Sequence, residues 1–223
     1  MALGTSAEDL VLSAETAPTE RRVRKVTETE VKRPARYIIK PLDMTTWDAW
    51  AALVERNGGV FGGCWCQGNH PEGFGKSAAE NRERKLARVR KGDTHAAVVF
   101  DGDEALGWCQ FGSTAELPRI KHRRAYEAQP PEPPDWRITC FYVDKRHRRQ
   151  GIADAALAGA LDLIAAAGGG ACEAITEDTS GREVQGRFLF TGSVALFEQH
   201  GFARQRQVGK HAWIVRRQVD PAD

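Results

Sequence analysis

Between residues 37 and 219 the apolar positions switch between short β-branched or aromatic runs and longer stretches with helical spacing. Residues 37–41 (YIIKP) predict a first strand. Over 45–57, Trp47, Trp50, Ala51 and Val54 share one helical face, with Thr45 or Thr46 as the cap and Asn57-Gly58-Gly59 as the stop. Residues 77–91 predict a second, strongly charged helix with a narrow apolar edge at Leu86 and Val89. Ser77 and Glu80 form its capping box. Residues 95–100 and 106–111 predict a hairpin about Asp101-Gly102-Asp103. The run 138–143 is β-branched and aromatic, as a buried strand should be. From Ile152 the spacing turns helical, with Leu157, Ala160, Leu161 and Ile164 on one face, and Gly168-Gly169-Gly170 ends the helix. A strand over 171–176 follows. Then comes a short helix with Thr191 or Ser193 as its cap and Val194, Leu196 and Phe197 to pack. A closing hairpin runs through 202–208 and 211–217. The pattern predicts a mixed α/β sheet of about seven strands flanked by helices.

Composition refines this picture in a few places. The chain has 223 residues, 41% of them hydrophobic, which is enough for one domain with a core plus a tail. Residues 1–36 mix both signs of charge and lack a packing pattern, so a disordered tail is expected there, with the domain over 37–219. A formal net charge of +2 gives no global field for nucleic acid. No apolar run reaches the ~18 residues of a membrane span, and the first twenty residues lack the apolar core of a signal peptide. Five irregularly spaced cysteines suit free thiols in a reducing cytoplasm. The glycine-rich stretch 60–75 carries Cys64, Trp65, Cys66 and His70. One C-x-C and one His fall short of a zinc set, so no metal is expected. Trp65 reads as part core plug and part wall of a substrate pocket. Residues 113–135 are long for a strand connection, and the four prolines at 130, 131, 133 and 134 stiffen their second half. They read either as a binding loop, whose Pro-rich 126–135 segment forms an acceptor mouth with Trp65, or as a disordered insertion.

The chemistry concentrates between the strand at 138–143 and the helix from 152. Gly151 lets a ligand approach the backbone, small Ala153 keeps the first turn open, and the free N–H groups of a helix start attract anions. Arg146, Arg148 and Arg149 add full positive charge, so the turn suits a phosphate or pyrophosphate. No Lys-Ser/Thr follows the glycine, which excludes a P-loop. No G-x-G-x-x-G is present, which argues against a dinucleotide fold.

Arg148-x-x-Gly151-x-Ala153 resembles the pyrophosphate loop of the GNAT acyltransferases, (R/Q)-x-x-G-x-(G/A). The stretch 195–202 (ALFEQHGF) resembles a second GNAT segment, in the right order and about fifty residues on. The resemblance covers roughly residues 37–219. It implies a mostly antiparallel sheet with two splayed central parallel strands, and acetyl-CoA as co-substrate. Phe141, Val143, Arg148, Arg149, Gln150, Gly151, Ile152, Ala153, Ser193 and Phe197 would then contact the cofactor. Glu173 looks like the general base of ribosomal-protein N-acetyltransferases, and a strand with apolar flanks would keep it from water, although a structural carboxylate paired with an Arg is an equal reading. Phe197 stands where many members of the family have a tyrosine acid, which leaves Tyr142, Tyr126 or water to protonate the leaving thiolate. The implied function is transfer of an acetyl group to an amine of a small molecule or protein by direct attack. The alternatives are a catalytically weak acyl-CoA-binding regulatory module, and a metal- or redox-responsive protein working through Cys64, Cys66 and His70. A cytoplasmic location, no nucleic-acid or membrane partner, and compatibility with a homodimer complete the expectation.

Overall fold

The computed structural model of the protein describes residues 37–222, the Arg187 side chain excepted, and the expected tail at 1–36 lies outside them. The strands are β1 (Ile38–Pro41), β2 (His95–Asp101), β3 (Glu104–Ser113), β4 (Trp136–Val143), β5 (Gly170–Glu177), β6 (Ala203–Gln207) and β7 (Ala212–Val219). The helices are α1 (Trp47–Arg56), α2 (Ala78–Lys91), α3 (Arg123–Glu127), α4 (Ile152–Ala166) and α5 (Val194–Gln199). The seven strands form one sheet in the order β1-β2-β3-β4-β5-β7-β6, and only β4 and β5 run parallel.

The middle strands are apolar on both faces because both faces are covered. Ala97 and Val99 of β2 pack with α4, while Ala96, Val98 and Phe100 pack with α1 and the glycine-rich loop. Gly159 brings α4 close to the sheet, since a Cβ there would meet Ile39 Cγ2 at 2.3 Å. A third cluster joins Tyr126 of α3 to Ile175, Val208, Ala212 and Ile214.

Two details depart from the sequence reading. Thr46 precedes α1, but its hydroxyl donates to the Pro41 carbonyl (2.8 Å) instead of capping the helix. The Asp43 carboxylate holds the turn before the helix, accepting the Thr45 and Thr46 amides at 2.7 and 3.2 Å. Residues 113–135 are neither wholly irregular nor a disordered insertion, since they contain α3. Arg206 fixes the end of that helix by donating to the carbonyls of Ala125, Tyr126 and Gln129. The five cysteines are all free and buried.

The β4–β5 pairing lasts only from Trp136–Cys172 to Ile138–Ala174. At that point β4 carries a bulge: Phe111 faces Ile138 and Gln110 faces Cys140, which leaves Thr139 as the extra residue. A bulge bends its strand and increases the twist. The two parallel strands consequently separate, and the gap between them is the central feature of the molecule.

Candidate active site at the splayed strands

A cleft of about 440 Å³ opens where β4 leaves β5. Phe141, Tyr142 and Val143 of β4 line one side, and Arg148, Arg149, Gly151, Ile152 and Ala153 line the turn into α4. Ser193 closes the set and caps α5, accepting the Leu196 amide at 3.2 Å. Gly151 immediately precedes α4 with φ 78°, a left-handed backbone that disfavours side chains. The first N–H groups of α4 therefore face the cleft beside two exposed guanidiniums, and neither Arg148 nor Arg149 forms an ion pair among the described residues.

Asp144 holds this turn in place. It is fully buried and ion-paired with Arg56 (2.7 Å) and Arg146 (2.9 Å), and its carboxylate also accepts the Arg146 amide at 3.0 Å. Burial alone would raise its pKa, but the bonds to Arg146 and Arg56 outweigh it and hold the carboxyl well below the usual range. Arg146 therefore anchors the loop and is not one of the cleft's cations.

On the far side of the gap lies a slot of about 20 Å³, room for a single water, lined by Asn69, Lys121, Arg137, Thr139, Glu173 and Thr191, among others. Glu173 is 1% exposed. Its Oε2 accepts from Arg216 Nε (2.8 Å), Arg216 Nη2 (2.7 Å) and the Tyr126 hydroxyl (3.2 Å). Its Oε1 has only Arg137 Nε, at 3.9 Å. Glu173 is thus the Arg-paired carboxylate of the alternative reading, with one oxygen less engaged.

Three expected site residues lie elsewhere. Phe197 is fully buried behind the cleft, edge-on to Phe141 (5.9 Å) and Phe202 (4.9 Å), and does not line it. The helix-facing position of its ring puts it in the core, so the missing tyrosine hydroxyl is not a gap in the cleft wall. Gln150 is exposed, and its carbonyl accepts the Tyr37 hydroxyl at 3.0 Å. Trp65 is a core plug. It is 4% exposed, stacks on Trp47 (6.1 Å), leans on Trp50 (5.8 Å) and lines neither cleft nor slot. Aromatic area is most stabilising when removed from water, and Trp47 and Trp50 provide the enclosure.

The neighbours of Trp65 are likewise structural. Cys66 Sγ lies 3.0 Å from Trp108 Nε1 and 3.2 Å from Cys140 Sγ. His70 Nδ1 donates to the Glu116 carbonyl (3.2 Å), which leaves Nε2 to accept from Lys85 Nζ (3.1 Å) and Gln110 Nε2 (3.0 Å). The imidazole is thus committed to α2 and β3 and not to the cysteines.

The cleft also contains residues that the sequence did not mark as site residues: Phe61, Leu189, Phe190, Gly192 and Leu196. Tyr142 stacks on Trp108 (5.1 Å) and meets Phe61 edge-on (6.1 Å). Burial raises the pKa of its phenol, so it keeps its proton at neutral pH.

Comparison with known proteins adds the following. A search of curated proteins gave no significant match. Among solved structures the chain is similar to a putative GNAT-family acetyltransferase from Desulfovibrio desulfuricans, with 16% identity, TM-score 0.48, and 82% of this chain and 99% of that one covered. It is similar to yncA, a putative acetyltransferase from Salmonella typhimurium solved with acetyl-CoA, with 14% identity, TM-score 0.47 and coverages of 83% and 95%. It is also similar to the ribosomal-protein-S18-alanine N-acetyltransferase of Escherichia coli, with 14% identity, TM-score 0.43 and coverages of 84% and 96%. The sequence profile of the Acetyltransferase (GNAT) family matches residues 64–202, well over half of the chain, and together with the seven-stranded sheet parted between β4 and β5 this makes the chain a member of that family.

Proposed function

We propose that the protein is an acetyl-CoA-dependent N-acetyltransferase that acts on an amine of a small molecule or protein by direct attack on the thioester. One observation carries this reading: a helix start with a glycine turn and two arginines without an ion pair among the described residues opens on a cleft at the parted strands. That donor set fits a pyrophosphate, with Arg148, Arg149 and the amides of Gly151, Ile152 and Ala153 to hold it. The edge of β4 that β5 leaves beyond Ile138 suits an extended, amide-bearing arm. Acetyl-CoA supplies the activated acyl group.

The rest falls to the chain's own side chains. Acetyl transfer needs a neutral amine held close to the acyl carbon, so positioning contributes most of the rate. Glu173 Oε1, beside the slot, is the acceptor for the amine proton, and Tyr142 in the cleft wall is the donor for the departing thiolate. The match to the Acetyltransferase (GNAT) family over residues 64–202 supports the same direction. The engagement of Glu173 by Arg216 and Tyr126 favours a second reading, an acyl-CoA-binding module with weak turnover. Thiol release from acetyl-CoA with a panel of amines separates the two.

The site itself is tested with Gly151→Glu. A side chain at φ 78° strains the turn and its carboxylate repels a pyrophosphate. Calorimetry should find acetyl-CoA binding weakened at least ~100-fold, that is about 3 kcal/mol. Affinity equal to the wild type would place the ligand elsewhere.

A further inference from the structure

Residues 189–192 pass through the gap between β4 and β5 and close it. The Phe141 amide points into that gap and donates to the Phe190 carbonyl at 2.6 Å. From the other side, the Thr176 hydroxyl donates to the Gly192 carbonyl at 2.7 Å, and the Glu177 amide reaches the same oxygen at 3.4 Å. The segment thus sits in the splay like a short extra strand, and Glu177 and Ser193 form a parallel bridge at its end. The Phe190 ring pins it from outside, 5.9 Å from Phe61 and beneath the Lys121 ammonium at 4.9 Å. Phe190 and Gly192 face the cleft while Thr191 lines the slot, so the segment separates the two cavities.

This closed arrangement leaves polar groups unsatisfied. The hydroxyls of Thr139 and Thr191 are buried without a partner, in residues only 6% and 5% exposed. Native structures rarely leave such groups alone, and each case calls for a reason. Thr139 is also the residue that the β4 bulge turns out of the ladder, at the point where the strands part. Direct transfer from a thioester on the cleft side to an amine on the slot side needs an open path at this point.

We propose that residues 189–192 are a plug which acyl-CoA displaces, uncovering the Thr139 hydroxyl as a donor to the acyl carbonyl. The proposal rests on the acyl-CoA reading above. At Phe141 the exchange is one hydrogen bond for another, because an amide-bearing arm added as a strand takes the N–H that Phe190 holds in the closed form, while the Thr176 hydroxyl and the Glu177 amide give up the Gly192 carbonyl. The plug also lowers apparent affinity, since only the open fraction is competent to bind.

Acetyl-CoA and free CoA are the probes, bound to the full chain and followed by calorimetry and hydrogen–deuterium exchange. No binding by the wild type overturns the acyl-CoA reading and the plug together; the remaining outcomes concern the plug alone. Phe190→Gly removes the pinning ring and should tighten acetyl-CoA binding about tenfold. If Phe190 were merely a cleft wall its truncation would weaken binding, so an unchanged or weaker affinity overturns the plug. In the wild type, acetyl-CoA should speed amide exchange over 188–192 about tenfold, and unchanged or slower exchange there overturns it as well. Thr139→Val keeps the shape and removes the donor. It should weaken acetyl-CoA about fivefold and leave CoA, which has no acyl carbonyl, unaffected. An equal effect on both ligands overturns the donor role.

Discussion

The two oxygens of Glu173 have different surroundings, and this makes its proposed role testable. Oε2 is taken by Arg216 and Tyr126, while Oε1 faces Arg137 at 3.9 Å. As the acceptor of the amine proton, Glu173→Gln should lower kcat at neutral pH by roughly 10²-fold or more. The loss should shrink at high pH, where the amine is already neutral. An equal loss across the pH range would show that the ion pair with Arg216 is all that Glu173 provides. The same substitution takes the charged partner from the Arg216 guanidinium, so a melt should accompany the kinetics and report a cost of about 3 kcal/mol. The sequence showed a carboxylate in an apolar strand. It could not show that Arg216 stands opposite, because the Glu173–Arg216 register comes from β5 pairing with β7, 43 positions away.

Among the elements, the glycine-rich loop between α1 and α2 shows how composition can mislead. Val60, Phe61, Trp65 and Cys66 all have left-handed backbones, each costing on the order of 1 kcal/mol. The loop tolerates them because its neighbours hold it: Asn81 Nδ2 donates to the Gly63 carbonyl (2.8 Å), and Trp65 is wedged into the tryptophan cluster. These contacts oppose the loop motion that its glycines suggest. Trp65→Ala should cost roughly 3–5 kcal/mol in denaturant unfolding. Acetyl-CoA affinity of the folded protein should stay unchanged, because Trp65 lines neither cavity. A specific loss of affinity with no loss of stability would return Trp65 to the binding surface. Phe61, by contrast, is 45% exposed at the cleft, and nothing in its local pattern distinguishes it from its neighbours.

For the whole molecule, the buried His70–Lys85 pair links the loop, α2, β2 and β3 and makes stability depend on pH. Burial first, then the charges of Lys85 and Arg88, push the His70 pKa down to about 2, so the folded ring is neutral. The unfolded ring titrates near 6.5. A group whose folded pKa is depressed contributes fully above its unfolded value and loses that contribution as the pH falls. Stability should therefore drop below pH ~6.5 by up to about 1.4 kcal/mol per unit from this residue. Calorimetric melts from pH 7 to 4 should follow that slope, and NMR should find the His70 ring neutral until the protein unfolds. A ring that titrates near 6.5 in the folded state would refute the assignment. No helix among the described residues is long and apolar enough to cross a membrane.

The sequence by itself determined every strand, the helices other than α3, and the glycine–arginine turn into α4. These are local: periodicity reports which face of a strand or helix is buried, and the Arg148–Ala153 motif is contiguous. Phe141, Val143, Gly151 and Ala153 could be named because they flank one strand–turn–helix junction. Only the tertiary structure decided what fills the gap between the strands, which oxygen of Glu173 is engaged, and that Phe197 and Trp65 face the core. Those outcomes depend on strand order, on the bulge at Thr139 and on a loop that returns across the sheet. Contacts between residues distant along the chain set them, and such contacts leave no period or spacing in the sequence.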